Sequence, residues 1–293
     1  MILQNYMSSH PEAPEIAHFR FQTIALFREL YPTIAKHWGD SSVARKKEDG
    51  SLVTNVDPIV EEEIRRVAAE ALPDAFFLGE ETHKTEPGID AAISATKRIV
   101  IVDPIDGTSE YVHRSSDCGT LVAVFELRHD VLHPLLGLAY RPFLSSSPLA
   151  HDHGVVIYSA GNQVFRQILS PRHESAEPIS FAEARKPGEM IRVVTPRDIP
   201  IPSARVSKIG SSASVADLMH PVLGSAHSAI SRSRIWDIAA PIAIASARQI
   251  PCWHIASDSQ FSTLSFADFE LNDPLKKWAL LSPIAIGAPY WRA

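Results

Sequence analysis

The residues best placed to do chemistry lie in Ile99-Val100-Ile101-Val102-Asp103-Pro104-Ile105-Asp106-Gly107-Thr108. A β-branched run brings two carboxylates, Asp103 and Asp106, to the end of a strand. Pro104 stiffens the turn between them, and Gly107 permits close approach of backbone to a ligand. Two carboxylates at this spacing repel unless a cation neutralises them. Hard cations with oxygen ligands do so best, and Mg²⁺ keeps several waters beside one or two carboxylates. If Gly107 and Thr108 open a short helix, their free N–H groups form a phosphate site. A solvated acidic turn is the alternative for an isolated Asp-x-x-Asp, but the strand preceding this one is too apolar for a surface edge.

Glu80-Glu81 repeats the arrangement after Ala75-Phe76-Phe77-Leu78-Gly79. Taken alone it reads as a solvated pair; beside Asp103 and Asp106 it reads as a further ligand. Asp237 follows Trp236 at the expected start of a helix, and Asp57 precedes Pro58 at another. Both suit helix N-caps without any chemistry. His151-Asp152-His153 has metal-ligand residue types but lies in an expected loop. No HExxH, Walker or GxGxxG pattern occurs.

Positioning these groups requires an alternation of strands and helices. Apolar spacing predicts a helix from Glu15 to His37, broken near Pro32. Val60, Ile64, Val67 and Ala71 give a second helix one buried face. Strands are expected at Ala75 to Leu78 and Arg98 to Val102. A hairpin over Thr120 to Leu127 and Val131 to Tyr140 turns at His129-Asp130. Further strands fall at Val155 to Tyr158 and Met190 to Thr195, and helices near Ser212 and from Asp237 through Ala247. Leu144 to Pro148, rich in Ser and Pro, separates two halves, about 1–145 and 146–293, of one unit. Hairpins beside helices argue for mixed α/β with layered packing, not a simple doubly wound sheet.

The chain has 293 residues, 45% hydrophobic and 21% charged, with a net charge of −6. That is ordinary for a soluble protein with a sizeable core. No Lys/Arg-rich run marks a nucleic-acid face, so no nucleic-acid partner is expected. An anionic substrate would need local positive charge, for which metal ions are suited. Cys118 and Cys252 form no CxxC pair, against a disulfide framework or a cysteine zinc site. Met1 to Pro14 lacks the pattern of a secretory signal, and no apolar run spans a bilayer, so a cytoplasmic home without membrane contact is expected.

Four segments in order resemble the inositol monophosphatase superfamily of lithium-sensitive, Mg²⁺-dependent phosphatases. They are Asp49-Gly50-Ser51-Leu52-Val53-Thr54-Asn55-Val56-Asp57, Gly79-Glu80-Glu81-Thr82, Asp103-Pro104-Ile105-Asp106-Gly107-Thr108 and Trp236-Asp237-Ile238-Ala239-Ala240. The resemblance implies an α-β-α-β-α sandwich and hydrolysis of a small phosphorylated metabolite. Asp103 would bridge two Mg²⁺ ions. Glu80 and the carbonyl of Ile105 would complete the first site, with Glu80 touching a third, looser ion. Asp106 and Asp237 would hold the second. Thr108, paired with Asp57, would orient and deprotonate the attacking water. The amides of Gly107 and Thr108 would receive the phosphate, with Lys46 nearby, though Lys47 is equally close in sequence.

Departures from the pattern bear on the substrate. Polyol-specific members carry a glutamate where this chain has Ile230, which accepts no hydroxyl hydrogen bond. Gly210-Ser211-Ser212 resembles the substrate-contacting segment of the 3′(2′),5′-bisphosphate nucleotidase branch, yet Ser214 stands where that branch has a lysine. The Asp-Gly-Ser and Trp-Asp-Ile-Ala-Ala-Pro forms resemble histidinol-phosphatases. A glycine pair usual after Ala240 is missing, which questions a turn there. The tail from Asp273 is expected to pack over the core or against a second copy in a homodimer. The rival of another class is a non-catalytic descendant that binds a metal or ligand in the same pocket.

Overall fold

The computed structural model describes residues 12–83, 96–144, 152–170, 176–179, 191–195, 206–209, 213–273 and 275–289. Helix α1, Pro14–Lys36, runs without the break expected at Pro32. Ile34 is fully buried and its carbonyl accepts the Tyr111 hydroxyl at 2.6 Å, so tertiary contacts hold the turn that proline weakens. A short hairpin follows, β1 (Ala44–Lys46) and β2 (Leu52–Thr54). Helix α2, Asp57–Ala71, packs against α1. Its N-cap is Val56, so Asp57 is the first helical residue and not the cap expected for it.

The larger sheet takes its strands in chain order. They are β3 (Ala75–Gly79), β4 (Arg98–Asp106), β5 (Gly119–Arg128), β6 (Val131–Arg141), β7 (Val155–Ala160), β8 (Gln163–Ile168) and β9 (Ala176–Pro178). β3 and β4 are parallel and the rest pair antiparallel. The β5–β6 hairpin turns at His129-Asp130, both left-handed, as the sequence predicts. Because β7 pairs with β6, this sheet continues past residue 145; the break between sheets falls after Pro178. Helix α3, Thr108–Val112, follows β4 directly.

The smaller sheet has the order β11-β10-β12-β16-β13-β14. Its strands are β10 (Ile191–Val194), β11 (Val206–Ile209), β12 (Ser228–Ser231), β13 (Cys252–His254), β14 (Ser259–Phe261) and β16 (Ile284–Gly287), while β15 (Leu264–Ser265) joins β6. Helix α4, Ser214–Asp217, and helix α5, Ile235–Ala247, belong to the second half. The tail expected only as cover therefore supplies an interior strand, β16.

Alternation along the larger sheet divides two cores. Val100, Val102, Val122, Val124, Leu136 and Leu138 face α1 and α2. Ile99, Ile101, Leu121, Ala123 and Phe125 face α5 and residues of the smaller sheet. A sheet buried on both faces loses polar alternation, which is why these strands read as continuous apolar runs. Helix α5 is buried on nearly every side, as a helix between two sheets must be. The class is layered mixed α/β, and helices, sheet, helix and sheet succeed one another among the described residues. No helix of the described residues is long and apolar enough to cross a membrane.

Candidate metal centre

Asp103 continues the odd-numbered face of Ile99 and Ile101, which looks toward α5. A register shift between Asp103 and Asp106 then turns the strand end, and Thr120 fixes it by donating its hydroxyl to the Pro104 carbonyl at 2.8 Å. The shift brings Asp106 to the same side. Helix α5 presents Asp237 in its first turn, where the Arg234 N–H donates to Asp237 Oδ2 at 2.8 Å. One oxygen from each of Asp103, Asp106 and Asp237 lies within 4.8 Å of the others. Residues about 130 positions apart in sequence thus converge.

The trio is electrostatically unfavourable without cations. Asp103 is 2% exposed and its Oδ1 has no partner. Burial, then the charges of Glu80, Asp106 and Asp237, push its carboxyl well above the ordinary range. Asp106 is pushed up likewise by burial and Asp237, although the Ser214 and Val215 N–H groups, at 3.1 and 2.5 Å, oppose the shift. Burial and Glu80 raise Asp237 to about 7. Oxygen donors at this density, with an orphaned buried carboxylate oxygen among them, fit hard divalent cations.

Glu80 enters from the end of β3, its N–H bonded to the Val102 carbonyl at 3.1 Å. Its Oε1 accepts from the Lys47 ammonium at 2.8 Å, and Glu81 Oε1 accepts from the same ammonium at 2.6 Å. Lys47, the neighbour of the expected Lys46, therefore reaches the acidic residues; Lys46 is exposed on β1. Asp57 is fully buried, with Oδ2 accepting from the Thr54 N–H and hydroxyl and Oδ1 unpartnered. Burial raises it to about 7 against the Thr54 hydrogen bonds. The expected Asp57–Thr108 pair is not formed: the Thr108 hydroxyl donates to the Ile105 carbonyl at 3.0 Å. Gly107, at φ 72, starts α3 in the left-handed region, and a Cβ there would lie 2.5 Å from Ala213 Cβ. Gly210, Ser211 and Ser212 lie outside the described residues.

Further side chains support the site from outside the acidic trio. Glu61, 1% exposed on α2, accepts the Glu81 N–H at 2.9 Å. Its carboxylate fills the space where a Cβ of residue 79 would stand, so a side chain there would displace Glu61. The signal was present: Glu61 is an acid on the apolar face of Val60, Ile64 and Val67. Asp49 pairs with Arg234 at 2.7 Å, tying the β1–β2 turn to the start of α5. Burial opposes its ionisation, yet bonds from Ser51 and Arg234 hold Asp49 well below the ordinary carboxylate range. Trp278 is buried, and its carbonyl accepts the Ile235 N–H at 2.9 Å. His151 lies outside the described residues, while His153 stacks on Tyr31 at 4.4 Å. Ile230 is buried on β12.

A family model described as the inositol monophosphatase family matches residues 15–248. A histidinol-phosphatase of Streptomyces coelicolor is 33% identical over 109 residues, 37% of this chain and 38% of that protein. The alignment thus spans well under half the length of that curated relative. Inositol monophosphatase II of Staphylococcus aureus superposes with a TM-score of 0.62 at 15% identity, covering 94% of this chain and 90% of that one. A Thermotoga maritima IMPase gives a TM-score of 0.58 at 16% identity, with 90% and 89% coverage. An IMPase/NADP phosphatase complexed with Mg²⁺ and phosphate gives 0.59 at 18% identity, with 91% and 87% coverage. At these identities the structural likeness establishes the fold.

Proposed function

This chain belongs to the inositol monophosphatase family, and from that membership we propose that it hydrolyses a small phosphomonoester with the help of Mg²⁺. The observation that carries the reading is the convergence of oxygens from two buried aspartates, Asp103 and Asp106, and the half-buried Asp237 within 4.8 Å. Asp103, with an unpartnered oxygen, would bridge two ions. Glu80 and the Ile105 carbonyl would serve one, and Asp106 and Asp237 the other. Bound divalent cations would neutralise phosphate oxygens and acidify a neighbouring water.

The remaining tasks fall to the chain itself. The amides of Gly107 and Thr108 stand at the start of α3 and would hold phosphate oxygens; Lys46, exposed on β1, has no part in this reading. Thr108 would release the Ile105 carbonyl once that carbonyl serves a cation. Its hydroxyl would then turn toward the free Oδ1 of Asp57 and orient water. Asp57, raised to about 7 by burial, can hold a proton at the pH of the reaction. Gly210, Ser211 and Ser212 are proposed to meet the rest of the substrate. Li⁺ would inhibit by competing for the Asp106–Asp237 position.

Buried Ile230 cannot grip a polyol hydroxyl, and the curated relative aligned here is a histidinol-phosphatase, so an amino-alcohol phosphate leads the candidates. The test is phosphate release by purified protein with Mg²⁺ from histidinol phosphate, inositol phosphate and 3′-phosphoadenosine 5′-phosphate. Turnover of one of these, lost with EDTA, supports the proposal. No release from any phosphomonoester favours a non-catalytic binding protein.

A further inference from the structure

Lys47 is held unusually firmly for a lysine in a turn. Its N–H donates to the Ser51 carbonyl and its carbonyl accepts from the Gly50 N–H, at 2.8 and 3.0 Å, so the β1–β2 turn closes on it. The side chains of Lys47, Glu80 and Glu81 are only 13, 13 and 15% exposed. Burial works against the ammonium, yet Glu80 and Glu81 together hold its acidity well below that of an ordinary lysine. The turn is fastened a second time through Asp49 and Arg234, and Glu81 through its N–H to Glu61. Both ends of the Lys47 contact are therefore built.

We propose that the Lys47 ammonium is a resident cation at Glu80 and Glu81, standing where a third, looser divalent ion would otherwise bind. The chain then takes two ions and not three. The inference rests on the metal reading above. An ammonium within 2.8 Å of both Oε1 atoms occupies the approach that a Mg²⁺ ion would need at about 2.1 Å from an oxygen. Two cations cannot share that space, and they repel. Lys47 takes Oε1 of Glu80 and leaves its other oxygen to the ions held by the aspartates.

The test counts Mn²⁺ bound by the full chain, using electron paramagnetic resonance of the free ion. Wild type and Lys47→Arg should bind two Mn²⁺ per chain, and Lys47→Gln should bind three. Lys47→Gln should also show a lower melting temperature in EDTA and a larger rise on adding Mn²⁺. Three ions in wild type overturn the inference without any variant, and two in Lys47→Gln overturn it as well. In both cases Mn²⁺ binding abolished by Asp103→Asn leaves the metal reading intact. If Asp103→Asn does not reduce Mn²⁺ binding, the metal reading and the inference fail together.

Discussion

The buried aspartates set two opposed requirements on the same atoms. Free of metal they repel, and to hold the proposed metal they would have to be ionised. Asp103→Asn removes a charge from the most buried member. Its activity should fall by more than about a hundredfold, beyond the usual cost of losing an outer-shell partner. In EDTA its melting temperature should equal or exceed that of wild type, because the repulsion is relieved. A lower melting temperature in EDTA would contradict this picture of the site. The pH dependence follows in sign. Asp57 and Asp237, at about 7 when folded, lie above the ordinary unfolded carboxylate value of about 4. The folded state then binds protons more tightly, so these groups favour folding least above about pH 7 and cost nothing below about pH 4. The Mg²⁺ proposed here would bind the ionised form. Its increment in melting temperature, measured by scanning fluorimetry, should be larger at pH 8 than at pH 5.5; the reverse order would contradict the assignment. At this scale the sequence reveals the acids, because Asp103, Asp106, Glu80 and Asp237 each follow or open an apolar element. It does not choose between Lys46 and Lys47, since the hairpin's register sets which one turns inward.

Elements place these residues by local rules that are only partly written in the sequence. The β5–β6 turn is legible because His129 and Asp130 interrupt two apolar runs. The end of α5 at Ala247 is legible too, but the way it closes is not, because the glycine that usually adopts the left-handed conformation is missing. Gln249 takes it instead, at φ 57, and the Ile250 N–H to Ala245 and Gln249 N–H to Ser246 bonds close the helix in a Schellman motif. The turn survives its missing glycine at a cost of about 1 kcal/mol. Gln249→Gly should therefore stabilise the protein by about 0.5–1 kcal/mol in urea unfolding without changing turnover. Destabilisation would show that the Gln249 side chain contributes more than its backbone costs. Pro32 fails as a break for the opposite reason: a proline penalty at one position is outweighed by packing of Ile34 and the Tyr111 bond, which join residues 77 apart.

Across the whole molecule, the site depends on two sheets gripping one helix. Helix α5 carries Asp237 between them, and the tail secures its first turn. Trp278 packs against Phe266 and Phe269, with ring centroids 5.8 and 6.3 Å away, and its carbonyl receives the Ile235 N–H. Trp278→Ala should cost about 3–5 kcal/mol and lower activity although Trp278 is not among the acidic residues. Unchanged unfolding would mean the tail does not anchor the helix. The layered class is legible from strands that alternate with helices and are apolar throughout. The tail's interior strand is not, because Ile284 to Gly287 is too short to stand out until β12 and β13 flank it.

Glu80, Asp103, Asp106 and Asp237 are proposed to hold divalent cations jointly. Anomalous diffraction from crystals of the full chain soaked in Mn²⁺ measures this directly. Strong peaks are expected within coordination distance of Asp103, Asp106 and Asp237, with one shared by Glu80. Ordered Mn²⁺ found only elsewhere on the molecule, with these carboxylates empty, would contradict it.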